Sequence, residues 1–332
     1  MRYLQEKSKI SKINLDVKDK KILGILGSDA RMPLTQISKR VGLSRDAVNY
    51  RINNYETKGI IQGYRTIVNM SALGYNNHHL FIKLNNPSQE VEQQIIKKLK
   101  NHAFIRVILK FSGNFDFEIG FVAKDINELD KRITQITEDC SGNLQDYEIL
   151  TIPKSYFAEI FPPDFLKSNK PANIQKIKYK MDKKDIEILK FLSENARMAL
   201  FEIAEKLKLS VDAVSYRIKN MKNSGIIVKF VPVMNYDALK YNLHAVLINI
   251  NCLDSKKENI LEEFLLNNNH ILWAVKTIGR FNVLIYFLVQ NIEDLQNSIS
   301  QLRSLFPKQI NNYETLIAYE EYKYIYFPKE LF

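Results

Sequence analysis

The sequence predicts an α+β protein made of two repeats, each a winged helix-turn-helix domain followed by a ferredoxin-like βαββαβ sandwich domain. Three observations predict it. The chain repeats itself at one fixed shift. Each repeat opens with three short segments of helical period. Each then changes to strands rich in Ile, Phe and Tyr, broken by two amphipathic helices.

The repeat sets the architecture. Asp16 recurs as Asp182, a shift of 166 residues that needs no insertion or deletion. It carries Ala30-Arg31-Met32 onto Ala196-Arg197-Met198, Tyr50-Arg51-Ile52 onto Tyr216-Arg217-Ile218, and Gly59-Ile60-Ile61 onto Gly225-Ile226-Ile227. Far downstream it still takes Gly113 onto Gly279, Phe115 onto Phe281 and Tyr156 onto Tyr322. Stacked solenoid repeats have periods of roughly 20–50 residues, so a period this long means two whole units and not an array.

Within each repeat the elements follow in order. Ile22, Leu23 and Leu26, like Ile188, Leu189 and Leu192, fall at helical spacing and predict a first helix. Pro33 precedes a second helix at Leu34–Val41, near the first turn, where an N–H would have no partner anyway. Gly42 permits the tight turn. Ser44 caps a third helix running through Lys58, with Asp46 in its first turn where the helix dipole favours negative charge, and Gly59 ends it. Beyond it, helices at Val91–Asn101 and Ile126–Cys140, and again at Lys257–Asn267 and Ile292–Phe306, alternate with strands. The uncovered apolar face of each sheet is costly in water and is expected to pack on a neighbouring copy.

The expected divisions are residues 1–64 for the first helix-turn-helix, 65–161 for the first sandwich, 162–180 for a linker, 181–230 for the second helix-turn-helix and 231–332 for the second sandwich. The linker carries Pro162, Pro163, Pro171 and five lysines and lacks a sustained apolar period.

Composition narrows the function. Hydrophobic residues at 45% and charged residues at 26% suit a globular protein with a full core. No apolar run approaches the roughly 18 residues of a membrane span. Residues 1–12 are charged but lead into no apolar signal core, so a cytoplasmic location is expected. Cys140 and Cys252 stand apart from any Cys-x-x-Cys pairing, which argues for buried reduced thiols and against a zinc site. No nucleophile triad, phosphate-cradling glycine loop or metal-ligand spacing occurs, so no catalytic residue, metal or cofactor is expected.

The net charge of +11 is unevenly spread. Residues 1–64 carry +7, 161–180 carry +4 and 181–230 carry +3, whereas 65–160 carry −1 and 231–332 carry −2. The positive charge therefore gathers on the two helical modules and the linker before the second, and the partner it suits is the phosphate backbone of double-stranded DNA.

These features together carry a resemblance. Leu15-Asp16-x-x-Asp19-x-x-Ile22-Leu23, Ala30-Arg31, Leu43-Ser44, Val48-x-x-Arg51-Ile52 and Gly59-Ile60-Ile61 come in order, followed by Asn69 to Tyr75 and by Ser112-Gly113-Asn114-Phe115-Asp116. The chain resembles, twice over, the Lrp/AsnC (feast/famine) family of prokaryotic transcription regulators. The resemblance implies a sequence-specific regulator, not an enzyme, whose sandwich domains dimerise and take an amino acid or related small molecule at subunit contacts. In a fused chain that dimer contact is expected internally, as a pseudo-dimer, with further homo-oligomers open to it.

It also implies that the third helix enters the major groove while basic side chains hold phosphates. Val48, Ile52 and Tyr55 form the inward stripe of that helix, which turns Arg45, Asn49, Tyr50 and Asn53 outward. With Ser44, Arg51 and the phosphate candidates Lys39 and Arg40 these are the expected DNA contacts of the first repeat. The second offers Ser210, Ser215, Tyr216, Arg217 and Lys219, with Lys206, Lys208 and Lys222 for phosphates. Arg51 and Arg217 flank the apolar stripe and are equally placed to pair with Asp16 and Asp19, or with Asp182 and Asp185. Because Arg45 and Asn49 become Val211 and Ser215, the two surfaces should read different bases. For the effector, the turn between the second and third sandwich strands offers Gly113 with Asp116 and Gly279 with Asn282; the same glycines also suit a plain hairpin.

Siroheme decarboxylases share this architecture in paired units and are the rival reading. They need histidines and basic groups around a tetrapyrrole. Of His78, His79, His102, His244 and His270, only His78 and His244 coincide under the repeat, so the regulator is preferred.

Overall fold

The computed structural model describes residues 15–140, 142–161, 165 and 179–332. The first repeat runs α1 (Val17–Ser28), α2 (Leu34–Val41), α3 (Arg45–Thr57), β1 (Ile61–Val68), β2 (Asn76–Leu84), α4 (Gln89–Asn101), β3 (Ile105–Ser112), β4 (Phe117–Ala123), α5 (Ile126–Asp139) and β5 (Leu144–Ala158). The second repeats it as α6 (Lys183–Glu194), α7 (Leu200–Leu207), α8 (Val211–Asn223), β6 (Ile227–Met234), β7 (Asn242–Ile250), α9 (Ser255–Asn267), β8 (Ile271–Ile278), β9 (Val283–Val289), α10 (Ile292–Leu305) and β10 (Ile310–Tyr324). The two-repeat architecture of helix-turn-helix and βαββαβ domains is as the sequence predicts.

The chain divides into two compact units, and each gathers like parts from both repeats. One holds described residues 15–74, 165, 179–238 and 326–332, the other 75–161 and 239–325. The expected boundaries at 64/65 and 230/231 fall inside β1 and β6. These strands do not enter the sandwiches, because each pairs with the other: β1 and β6 form a two-stranded antiparallel sheet. Their pairing replaces a hairpin within each module, so the division comes later, at Gly74/Tyr75 and Ala238/Leu239. Most of the expected linker, residues 162–164 and 166–178, lies outside the described residues.

In the helical unit the aspartates of the Asp-x-x-Asp motif close α1 and α6. The Asp19 N–H donates to the Asp16 side chain at 2.7 Å and the Asp16 N–H donates to Asp19 at 2.9 Å. Asp182 and Asp185 repeat the box at 3.0 and 2.9 Å. This reciprocal arrangement satisfies two N–H groups that a helix start would leave bare. Gly42 ends α2 in the left-handed conformation, and Lys208 takes the same conformation after α7.

In the other unit the eight strands close into one barrel in the order β10-β3-β4-β2-β5-β8-β9-β7. Each repeat contributes a four-stranded sheet. Stacking of uncovered faces was expected, and here the edges join as well: β3 pairs with β10 and β5 with β8. Closure leaves no strand edge with unpaired backbone groups. Ile317 pairs Ser112 and Thr151 pairs Ile278, the same contact under the repeat shift, so the two seams are related by a pseudo-twofold. Phe81, Leu109, Phe111, Phe115 and Leu150 of the first repeat meet Leu247, Val275, Phe281, Leu284 and Leu316 of the second in one core.

Of the two cysteines, Cys140 is buried, and burial pushes its thiol up to about 12. Cys252 is exposed, contrary to expectation, because it lies beyond the end of β7, in the turn that leads to α9. Among the described residues no helix is long and apolar enough to cross a membrane. Nor, among them, do three His, Cys, Asp or Glu side chains gather to hold a metal.

Candidate nucleic-acid interface

The candidate surface is the outer face of α3 and α8. Ser44 caps α3 by accepting the Ala47 N–H at 3.1 Å, and Ser210 caps α8 by accepting the Ala213 N–H at 3.1 Å. Val48, Ile52 and Tyr55 are buried beneath α3, as Val214, Ile218 and Met221 are beneath α8. That anchoring turns Arg45, Asn49, Tyr50 and Asn53 to solvent on one helix and Ser215, Tyr216 and Lys219 on the other. Tyr50 and Tyr216 are 72% and 67% exposed, which rules out their packing on a neighbouring helix. Lys39, Arg40, Lys206 and Lys208 are exposed near the ends of α2 and α7, with Lys206 also over the Phe191 ring.

Three expected contacts are already engaged. Arg51 donates to Asp16 at 2.8 Å and to Asp19 at 2.5 Å, and Arg217 donates to Asp182 at 2.8 Å and to Asp185 at 2.9 Å. Hydrogen bonds to these carboxylates hold both guanidinium pKa values above the usual range. Each arginine thus ties its outer helix to the first helix of its own module, a structural task where DNA contact was the other expectation. Lys222 pairs with Asp29 of the other repeat at 2.8 Å.

The sequence reading missed how the two modules are fixed to each other. Arg31 donates to the Ala196 and Met198 carbonyls at 2.7 and 3.0 Å, and Arg197 donates to the Ala30 carbonyl at 2.8 Å. The Ala30 N–H donates to the Phe230 carbonyl at 2.7 Å and the Ala196 N–H to the Tyr64 carbonyl at 3.1 Å. Arg31 also lies over the Phe230 ring and Arg197 over Tyr64. The Ala-Arg-Met triplet recurring in both repeats was the available signal, but nothing in one copy says that its partner is the other. Tyr179 was missed too. Its hydroxyl donates to Asp185 at 3.0 Å, doing for the second module what Tyr55 does for Asp19 at 2.6 Å in the first.

The effector candidates are taken up by the hairpins. Asp116 accepts the Leu84 N–H at 2.7 Å, and Asn282 accepts the Ile250 N–H at 2.9 Å while donating to the Ile250 carbonyl at 2.7 Å. Aspartate and asparagine are interchangeable for this acceptor, so the loss of charge at Asn282 carries no signal about a ligand. Gly113 has φ +143 and its missing Cβ would lie 2.7 Å from Leu316 Cδ2; at Gly279, φ +156, it would lie 2.5 Å from the Ile149 carbonyl oxygen. Both glycines are needed where a strand of the other repeat crosses the hairpin.

A family profile for winged helix-turn-helix DNA-binding domains matches residues 15–62 and 181–228. The regulator LrpA of Pyrococcus horikoshii is 35% identical over 117 residues, covering 35% of this chain and 80% of that protein. LrpA of Pyrococcus abyssi is 36% identical over the same shares. Among solved structures, the siroheme decarboxylase NirDL in complex with an iron-uroporphyrin III analogue aligns over 94% of this chain and 95% of its own, with a TM-score of 0.63 and 13% identity. At that identity the likeness speaks for the fold alone.

Proposed function

This chain belongs to the Lrp/AsnC family of transcription regulators, and on that footing we propose that one chain acts as the usual regulatory dimer, presenting α3 and α8 to two half-sites on double-stranded DNA. The observation that carries the proposal is the symmetric strand pair. Arg65 pairs with Val231, its own counterpart under the repeat shift, so the two helix-turn-helix modules face each other across a pseudo-twofold. Duplex DNA has the same local symmetry, and paired modules of this kind read half-sites about one helical turn, or a multiple of it, apart.

The two half-sites differ in this reading. Arg45 and Asn49 can make two-point contacts with guanine and adenine, whereas Val211 offers only a thymine-methyl contact and Ser215 single hydrogen bonds. The operator is therefore a degenerate inverted repeat with one well-defined arm. Lys39, Arg40, Lys206, Lys208 and Lys219 supply the phosphate contacts, and an amino acid or related small molecule acts through the barrel unit.

Selection of random duplexes by the intact protein, followed by salt titration, tests this. An asymmetric site is expected, with affinity falling as salt rises at about 0.9 log units per phosphate contact per log unit of salt. Perfect palindromes, or binding indifferent to salt, would refute it. The tetrapyrrole enzyme is not favoured. His78, His79 and His244 are packed within the barrel unit, and His102 and His270 lie beside Asp139 and Asp294 at 2.8 and 3.9 Å.

A further inference from the structure

The interior of the barrel is asymmetric in a way the repeat does not require. At four positions facing the opposite repeat, the first repeat has His79, Val107, Glu118 and Gly120, and the second has Ala245, Trp273, Leu284 and Tyr286. Bulk and polarity are thus exchanged between the two. His79 pairs with Glu118, both buried. From the other repeat, the Tyr286 hydroxyl donates to Glu118, and Trp273 packs on His79 with ring centroids 5.3 Å apart and on Tyr286 at 5.2 Å.

Pairing two first repeats would set Glu118 and His79 against Gly120 and Val107. The carboxylate would lose its hydroxyl donor, and the volume of Tyr286 and Trp273 would stand empty, both costly in a packed interior. Pairing two second repeats would bring two Tyr286 and two Trp273 side chains against Ala245 and Leu284, leaving buried hydroxyls without Glu118.

The helical unit carries an independent restriction. Arg65 lies opposite Val231 on the pseudo-twofold, so pairing two first repeats would set arginine against arginine in directly opposed strand positions. Lys222 meets Asp29 in the present pair, whereas a first-repeat pair would bring Glu56, its counterpart, towards Asp29.

We propose that the two repeats are mutually exclusive partners, with complementary core and strand surfaces that accept the other repeat and reject a second copy of themselves. Chain exchange between molecules is thereby limited to like-with-unlike pairing, and the two different DNA-reading helices always come together. Specificity of this sort needs features that penalise the wrong pair as well as contacts that favour the right one.

The intact protein with a protease site inserted between residues 166 and 178 allows a direct test. After cleavage, the two fragments are unfolded together, refolded and weighed by native mass spectrometry. Unlike pairs should exceed like pairs by at least about tenfold, whereas a random mixture, with about twice as many unlike pairs as either like pair, would overturn the proposal. Failure of the fragments to refold leaves a second readout in the uncut chain. V231R, which recreates the first-repeat pair at the buried Val231 position on the axis, should melt several degrees below V231Q, and adding R65V should recover most of that gap. Equal melting of the two variants, or a gap that R65V leaves unchanged, would equally overturn it.

Discussion

Arg31 and Arg197, the same position in the two repeats, each cross to the other's helix-turn-helix module and bind the backbone beside their counterpart, at Ala196 and Ala30. An arginine with two carbonyl acceptors and a ring beneath it is held at several points, so lysine is a poor substitute. Arg31→Ala and Arg31→Lys should both loosen the registration of the two modules. Affinity for a two-arm operator is expected to fall about tenfold while binding to a single arm holds, as fluorescence anisotropy with the two duplexes would measure. Equal losses on both duplexes would assign Arg31 a local role instead.

The outward side chains of α3 separate into readers and holders. Asn49→Ala should cost about 1–3 kcal/mol on the preferred duplex and relax preference at one base. Lys39→Ala should weaken binding to all duplexes alike and lower the salt slope by about one. A Lys39 variant that changed base preference would reverse this assignment.

Arg51 is expected to act on stability. Its removal leaves Asp19, mostly buried, with the Tyr55 hydroxyl and the Asp16 N–H as its remaining donors among the described residues. Arg51→Ala should lower unfolding free energy by about 1–3 kcal/mol in urea titration, with the salt slope of DNA binding unchanged. A reduced slope with unchanged stability would mark it as a phosphate contact.

Acid stability should depend on His78. Burial holds its imidazole down at about 4 against an ordinary 6.5. Between these values the unfolded chain binds the proton and the folded chain does not, so stability falls as pH drops from 6.5 towards 4 and the loss is complete below. His78→Asn should flatten that limb of the melting-temperature profile. An unchanged limb would place its origin in other groups.

Much of this was legible in the sequence. A shift of 166 residues, helical spacing in Ile22, Leu23 and Leu26, capping by Ser44 and the inward stripe of α3 are local or periodic, and local geometry is written in neighbouring residues. The outward set Arg45, Asn49, Tyr50 and Asn53 followed from that stripe.

What the sequence determined by itself, then, was two copies of a helix-turn-helix and βαββαβ unit, with the positive charge on the helical modules and the linker before the second. Tertiary structure alone decided that β1 joins β6, that the two sheets seal along both edges, that Arg51 and Asp116 are occupied by backbone and carboxylate partners, and that Arg31 and Arg197 clasp opposite modules. The reason is physical. Those contacts join residues from 32 to more than 160 positions apart that meet only once the chain has closed on itself, and no periodicity along one copy encodes which distant surface will fill it.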